Sequence, residues 1–256
     1  MIRIALTQIH SSMDKESNLE KLRKYTEIAA SNGADLIVFP EYFMFYSNDK
    51  KYLNENAEPI NGIWVKNVIK IFNENSISGI VCINELNDNN VFDTAVYISG
   101  DVKGYYRKKM LYDAFGYRES DIYKSGNGPF NLYRINDISF GILICYEIRF
   151  PELFRNYSKN GADMIIIPSG WFSGPVKEEQ WLSLLRARAL ENTVYIASSN
   201  QIYGDFTGIS AVADPIGIIS ERAGESETMI FYDVKKERIN DVRQKMPLLE
   251  QLNNLR

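Results

Sequence analysis

The sequence holds a single histidine, His10, and that scarcity excludes more chemistry than any other feature of the chain. Ser-His-Asp and Cys-His hydrolases need an imidazole base. His10 ends the first expected strand in a Ser-rich stretch with no special setting, and it reads as a surface or loop residue. Only two cysteines occur, Cys82 and Cys145, too few for a disulfide framework and suited to a reducing compartment. Neither belongs to a C-x-x-C pair and no H-E-x-x-H is present, so no metal is expected. Gly126-Asn-Gly128 leads through Pro129 towards a strand, not a helix, so a phosphate loop is missing too, and no cofactor is expected. No apolar run approaches the roughly 18–20 residues that span a bilayer. Positive charge is not in excess: 29 Lys and Arg face 33 Asp and Glu, a net charge of −4 that gives no nucleic-acid signal. Met1 to Gln8 reads as a strand and not as a signal peptide. A cytoplasmic protein with no membrane or nucleic-acid partner is expected.

What the chain has is apolar content, 45% over 256 residues, enough for the core of one large α/β domain. The pattern predicts a strand over 2–9 and a helix over 17–32 that buries Leu19, Leu22, Thr26 and Ala29. Ser17 and Glu20 have capping-box spacing, and Gly33 stands at the helix end. A strand over 36–39 runs into Pro40-Glu41. A helix over 60–75 precedes strands over 78–85 and 91–99, joined by a polar turn at Asn87–Asn90. A strand over 102–107 enters an aromatic loop reaching to about 128. Strands over 130–135 and 138–144 lead to Cys145, and Pro151 suits the first turn of a following helix. A helix over 177–192 buries Trp181, Leu185 and Ala189, with Arg186, Arg188 and Glu191 as a solvated or salt-bridged surface. Strands over 194–199, 207–213, 217–220 and 229–233 follow. The charged tail, 234–256, is expected to be loose or to wrap a neighbouring subunit.

Two tetrapeptides repeat in context. Asn32-Gly-Ala-Asp35 and Asn160-Gly-Ala-Asp163 each close a helix before an apolar strand that ends at a proline, Pro40 or Pro168. The match predicts two similar layered halves in one domain, 1–256, without a linker.

Glu41, Lys108 and Cys145 each stand where an apolar strand stops. If those strands were adjacent, their ends would converge as they do in many α/β enzymes. A glutamate there could take a thiol proton, a lysine could stabilise an oxyanion, and backbone N–H groups at a strand-to-helix turn could favour a thiolate on an exposed sulfur. By residue type alone each has an ordinary alternative: a buried cysteine is commonly a small apolar residue, and Glu and Lys at strand ends are commonly solvated. Strand alternation puts Lys108 and Lys109 on opposite faces, so one of them should point inward.

Ala34-Asp-Leu-Ile-Val-Phe-Pro-Glu41, Tyr106-Arg-Lys-Lys-Met-Leu111 and Gly141-Ile-Leu-Ile-Cys-Tyr-Glu-Ile-Arg-Phe-Pro-Glu-Leu153 resemble the glutamate, lysine and cysteine motifs of the nitrilase superfamily of carbon–nitrogen hydrolases. Met110 stands where a histidine is common. Arg186-Ala-Arg-Ala-Leu-Glu-Asn192, and Gly208-Ile-Ser210 with Asp214-Pro215, resemble two further blocks, so the similarity covers nearly the whole chain. The resemblance implies a four-layer αββα sandwich of the nitrilase type that forms a homodimer or higher homo-oligomer. It implies catalysis by Glu41, Lys108 and Cys145 through a thioester, with the backbone N–H of Tyr146 at the oxyanion. Glu119-Ser-Asp121 resembles a segment whose glutamate helps position lysine and substrate. The cysteine block is most similar to the amidase branch acting on small carboxylate-bearing amides, such as omega-amidases; nitrilases and N-carbamoyl amino acid hydrolases are the alternatives. Tyr42, Tyr112, Phe115, Tyr117, Trp171 and Phe172 are candidate pocket walls, and Arg149 a candidate partner for a substrate carboxylate or for a structural ion pair. From other classes, a non-catalytic binding protein and a redox sensor using Cys145 remain; retention of all three catalytic types disfavours the first.

Overall fold

The computed structural model describes residues 1–252 and 254. The chain begins with β1 (Ile2–Gln8), α1 (Lys15–Ser31) and β2 (Leu36–Val38), then α2 (Lys50–Asn56) and α3 (Ile63–Glu74). A meander follows of β3 (Ser78–Asn87), β4 (Asn90–Ser99) and β5 (Asp101–Arg107), and a small hairpin of β6 (Asp113–Ala114) and β7 (Tyr117–Arg118). The second half runs β8 (Tyr133–Ile135), β9 (Ile138–Ile142), α4 (Pro151–Lys159), β10 (Met164–Ser169), α5 (Lys177–Asn192) and β11 (Tyr195–Asn200). It ends with the hairpin β12 (Ile202–Tyr203) and β13 (Phe206–Thr207), then β14 (Ala211–Ala213), β15 (Ile219–Arg222), β16 (Thr228–Val234), α6 (Lys236–Lys245) and α7 (Leu248–Leu252).

Two six-stranded sheets result, ordered β16-β1-β2-β3-β4-β5 and β15-β14-β11-β10-β9-β8. In each, three strands run parallel (β1, β2, β3 and β9, β10, β11) and the outer pairings are antiparallel. Parallel neighbours need helical crossovers, and those helices cover the outer faces. Alternation does the rest. Along β1, Ile2, Ile4 and Leu6 join the core shared with the second sheet, while Ala5 packs with Leu22 of α1 and Trp64 of α3. On the far side Phe154 and Tyr157 of α4 and Trp181, Leu185 and Ala189 of α5 cover the second sheet. The layers are therefore α, β, β, α, as the resemblance implied. Among the described residues no helix is long and apolar enough to cross a membrane.

The repeated tetrapeptides do the same work twice. Gly33 and Gly161 take φ of 71° and 93°, which only glycine adopts cheaply. Asp35 then accepts from the Arg3 N–H at 2.7 Å, and Asp163 from the Ser139 N–H at 3.0 Å, each fastening the new strand to its neighbour.

Several boundaries move. The first helix starts at Lys15, capped by Asp14, whose carboxylate accepts the Glu16 N–H; Ser17 lies inside it, so the Ser17–Glu20 capping box is not used. The expected strand over 130–135 shortens to β8. The one over 207–213 breaks into β13 and β14, and Gly208 (φ 73°) marks the break. Helix α2 carries no long periodic pattern and was not anticipated. The tail is not loose through its described part: Ile239 and Val242 of α6 are buried, and Lys236 and Arg243 reach the buried Asp163. Residues 253, 255 and 256 of that expected tail lie outside the described residues.

Candidate active site

Glu41, Lys108 and Cys145 do meet, but not from adjacent strands. Glu41 follows β2, Lys108 follows β5 of the same sheet with two strands between, and Cys145 follows β9 of the other sheet. The site is thus closed between the two sheets at one end. Lys108 Nζ donates to Glu41 Oε1 at 2.6 Å and to Glu119 Oε1 at 2.8 Å, and it lies 3.8 Å from Asp93 Oδ2. All four residues are buried. Lys109, on the opposite face, donates to the Gly128 carbonyl and lies over the Phe130 ring, 4.5 Å from its centroid.

The other contacts fix each carboxylate in one orientation. Glu41 Oε2 accepts the Gly170 N–H at 2.6 Å, and the Glu41 carbonyl accepts from Gln201 Nε2 at 2.8 Å. Glu119 also accepts the Tyr42 hydroxyl at 2.8 Å and the Tyr112 N–H at 2.6 Å. Burial opposes the Lys108 charge, but Glu119, Glu41 and Asp93 outweigh it and hold the ammonium protonated.

Cys145 opens a short 3₁₀ turn, Cys145–Arg149, that lies between β9 and α4. Its φ of 42° is unusual for a residue with a side chain, and such strain concentrates at functional positions. Pro151 takes the first turn of α4 as anticipated. The sulfur is not the exposed thiolate the turn suggested: Cys145 is buried, and burial followed by the Glu41 charge pushes its thiol well up. At rest the thiol is protonated and requires a base, and the nearby Glu41 charge is what raises it further after burial.

Glu147 holds this turn. It is fully buried and accepts the Ile144 N–H (2.7 Å) on one oxygen. The other accepts the N–H groups of Lys109 (2.9 Å) and Met110 (3.2 Å) and the Tyr106 hydroxyl (2.8 Å). One carboxylate thereby ties the residue before Cys145 to the residues after Lys108. Arg188, expected on a solvated or salt-bridged surface, is buried; its Nε donates to the Ile148 carbonyl at 2.8 Å and Nη1 pairs with Glu191.

Above the sulfur a narrow cleft is lined by Tyr42, Lys108, Tyr112, Cys145, Tyr146, Gly170, Trp171, Phe172 and Lys177. Of the expected wall residues, Tyr42, Tyr112, Trp171 and Phe172 are in place. Tyr117 packs behind them against Tyr112 and Phe172. Phe115 does not line the cleft: it is 83% exposed at the tip of the β6–β7 hairpin, where the two-residue turn (φ 55° at Phe115, 83° at Gly116) throws it outward. Arg149 lies beside the wall, not in it. Its guanidinium sits 4.8 Å from the Trp171 ring and donates to Gln180, and it makes no ion pair among the described residues.

Sequence reading missed Asp93, Gly170, Glu147, Gln201 and Lys177. A signal existed for Asp93, an acid within the apolar run Val91-Phe-Asp-Thr-Ala-Val96. Glu147 lies inside the cysteine block, yet four donors from three segments are invisible in one dimension. Lys177 opens α5, and only folding brings it over the Trp171, Tyr112 and Phe115 rings.

A buried cysteine on a strained turn, a buried carboxylate and a clamped ammonium could together attack a carbonyl carbon, and the chain is similar to known amidases. A deaminated glutathione amidase of Escherichia coli O157:H7 is 30% identical over 91% of this chain and 90% of its own. The omega-amidase NIT2 of Xenopus tropicalis is 30% identical over 97% and 94%. The crystal structure of Saccharomyces cerevisiae Nit3, a member of branch 10 of the nitrilase superfamily, superposes with a TM-score of 0.86 at 28% identity, covering 96% of this chain and 94% of that one. The family model for carbon–nitrogen hydrolases matches residues 3–244, and the chain belongs to that family.

Proposed function

We propose that the chain is an amidase that hydrolyses a small carboxylate-bearing amide through a thioester on Cys145. The observation that carries this reading is the Lys108 ammonium held between Glu41 and Glu119 in the cleft that contains the Cys145 sulfur. Glu41 takes the thiol proton as the sulfur attacks the amide carbon. Lys108 and the Tyr146 N–H, in the first turn after Cys145, stabilise the tetrahedral oxyanion. Glu41 returns the proton to the departing nitrogen, then activates water to release the acid. Glu119 holds Lys108 in register, and Tyr42, Tyr112, Trp171 and Phe172 exclude water around the acyl group. The acidic substrate is supported by Lys177 in the cleft wall with Arg149 beside it, neither with a carboxylate partner among the described residues, and by the names of the two amidase relatives.

Ammonia release from succinamate, glutaramate, glutamine, N-carbamoyl amino acids, short neutral amides and benzonitrile tests this. Release is expected from the acidic amides and absent in Cys145→Ala. Release from nitriles alone would make the chain a nitrilase, and silence across the panel would favour a non-catalytic binding role.

The same reading takes the chain as one domain, since β1 at one end pairs along its length with β16 near the other. It also takes the chain as a homo-oligomer of the cytoplasm. Self-association is supported by exposed Leu190, Ile216 and Ile218, with the Gly217 turn packed on Leu190. The compartment is supported by two free thiols. Sedimentation equilibrium should give a multiple of the chain mass; a single-chain mass at micromolar concentration would remove the first, and fractionation of tagged cells checks the second.

A further inference from the structure

Three carboxyl groups and one ammonium share a buried space. Oxygens of Glu41, Asp93 and Glu119 lie within 4.8 Å of one another, and Lys108 is the cation among them. The neighbouring titratable groups bring no further positive charge: Cys145 and Cys82 are thiols pushed well up by burial, and Tyr42 and Tyr123 are phenols raised the same way. Three carboxylates at such distances around one ammonium cannot all stay ionised in a dry site, so one must hold a proton.

The hydrogen bonds say which. Glu41 has an ammonium and an N–H donating to it, and Glu119 has an ammonium, a hydroxyl and an N–H. Asp93 Oδ2 is buried with no hydrogen-bond donor among the described residues. An anion gains most where donors are many, and the proton goes where they are fewest. A cation in place of the proton is excluded by position, because the Lys108 ammonium already occupies the point between the three groups.

We infer that Asp93 carries the surplus proton of the resting site and donates it in a hydrogen bond to Glu41, which makes it a positioning residue for the general base. The strand geometry is suited to this. Asp93 shares the inward face of β4 with Ala95 and Tyr97, and its carbonyl accepts the Lys108 N–H at 2.9 Å, so its carboxyl is held at a fixed height beside Glu41. Burial, then the Glu41 charge, pushes the Asp93 carboxyl well above the usual range, and the oxygens of the two groups lie within 4.8 Å of each other. The donated hydrogen bond orients Glu41 towards the sulfur and removes one negative charge from the space in which the oxyanion must form. The role in catalysis rests on the reading of Glu41 as the base; the location of the proton does not.

Infrared spectroscopy of the full chain at mildly alkaline pH, where Glu147 is ionised, separates the two. A carboxylic acid carbonyl band should be present, should move when aspartate is labelled with carbon-13 at its side-chain carboxyl, and should be lost in Asp93→Asn. Absence of an acid band, or a band that moves only with labelled glutamate, overturns the proton assignment whether or not the chain turns over an amide. For the positioning role, Asp93→Ala should lower kcat by about tenfold, a part of the roughly 10²–10⁴ that a general base contributes, with KM little changed. Asp93→Asn, which keeps a neutral donor, should restore most of that loss. Equal loss in both variants, or none in Asp93→Ala, overturns it.

Discussion

Glu147 is a carboxylate pulled in two directions by its surroundings. Burial disfavours its charge while three N–H groups and a hydroxyl favour it, and burial wins enough to push it up from 4.5 to about 7. The consequence for stability has a definite sign. Below about pH 4.5 the group is protonated both folded and unfolded. As pH rises from there the unfolded chain releases a proton that the folded chain keeps, so folding loses stability until about pH 7. Urea titrations across that window should show wild-type stability falling, and Glu147→Gln, though less stable throughout, should lack this component; an unchanged slope in the variant would count against the assignment. At this scale chemical type was legible in sequence and environment was not. Cys145, Lys108 and Glu41 were recognisable, whereas burial of Arg188 and exposure of Phe115 follow from where a helix and a hairpin happen to pack.

The repeated helix–Gly–Ala–Asp–strand unit was legible at the scale of elements because each part has a local cause: a glycine with positive φ, an acid that accepts a backbone N–H, and an apolar run. Its two copies nevertheless carry different loads. Asp35 is exposed, while Asp163 is fully buried and also accepts Lys236 through both oxygens, at 2.7 and 2.6 Å, with Arg243 at 3.5 Å. Removing one partner of a buried ion pair strands the others. Asp163→Ala should therefore cost about 3–5 kcal/mol, and Asp35→Ala about 1 kcal/mol, in urea titrations of each variant. Comparable losses at both positions would mean that α6 contributes little through this contact. Element ends were the least legible: Ser17 was the expected start of α1, and Asp14 caps it instead because its carboxylate reaches the Glu16 N–H.

In the whole molecule, the candidate site lies at the join between sheets. Glu41 and Lys108 come from one sheet and Cys145 from the other, and Glu147 bridges them, so the site is no more rigid than the sheet–sheet packing behind it. The sequence by itself determined the elements, the repeat and the reactive residue types, because strand alternation, helix periodicity, glycine at positive φ and the Glu, Lys and Cys blocks are all local in the chain. It also narrowed the chemistry, since one histidine leaves a carboxylate or an amine as the base for a Cys145 nucleophile. Tertiary structure alone decided that the strands bearing these residues are not neighbours, that burial raises the Cys145 thiol, that Asp93 Oδ2 stands without a donor near two carboxylates that have several, and that Lys177 overhangs the cleft. The reason is physical: proton placement and pocket shape depend on distances between residues up to 160 positions apart, as in the Gln201 amide on the Glu41 carbonyl, and on the loss of water when two sheets close on each other.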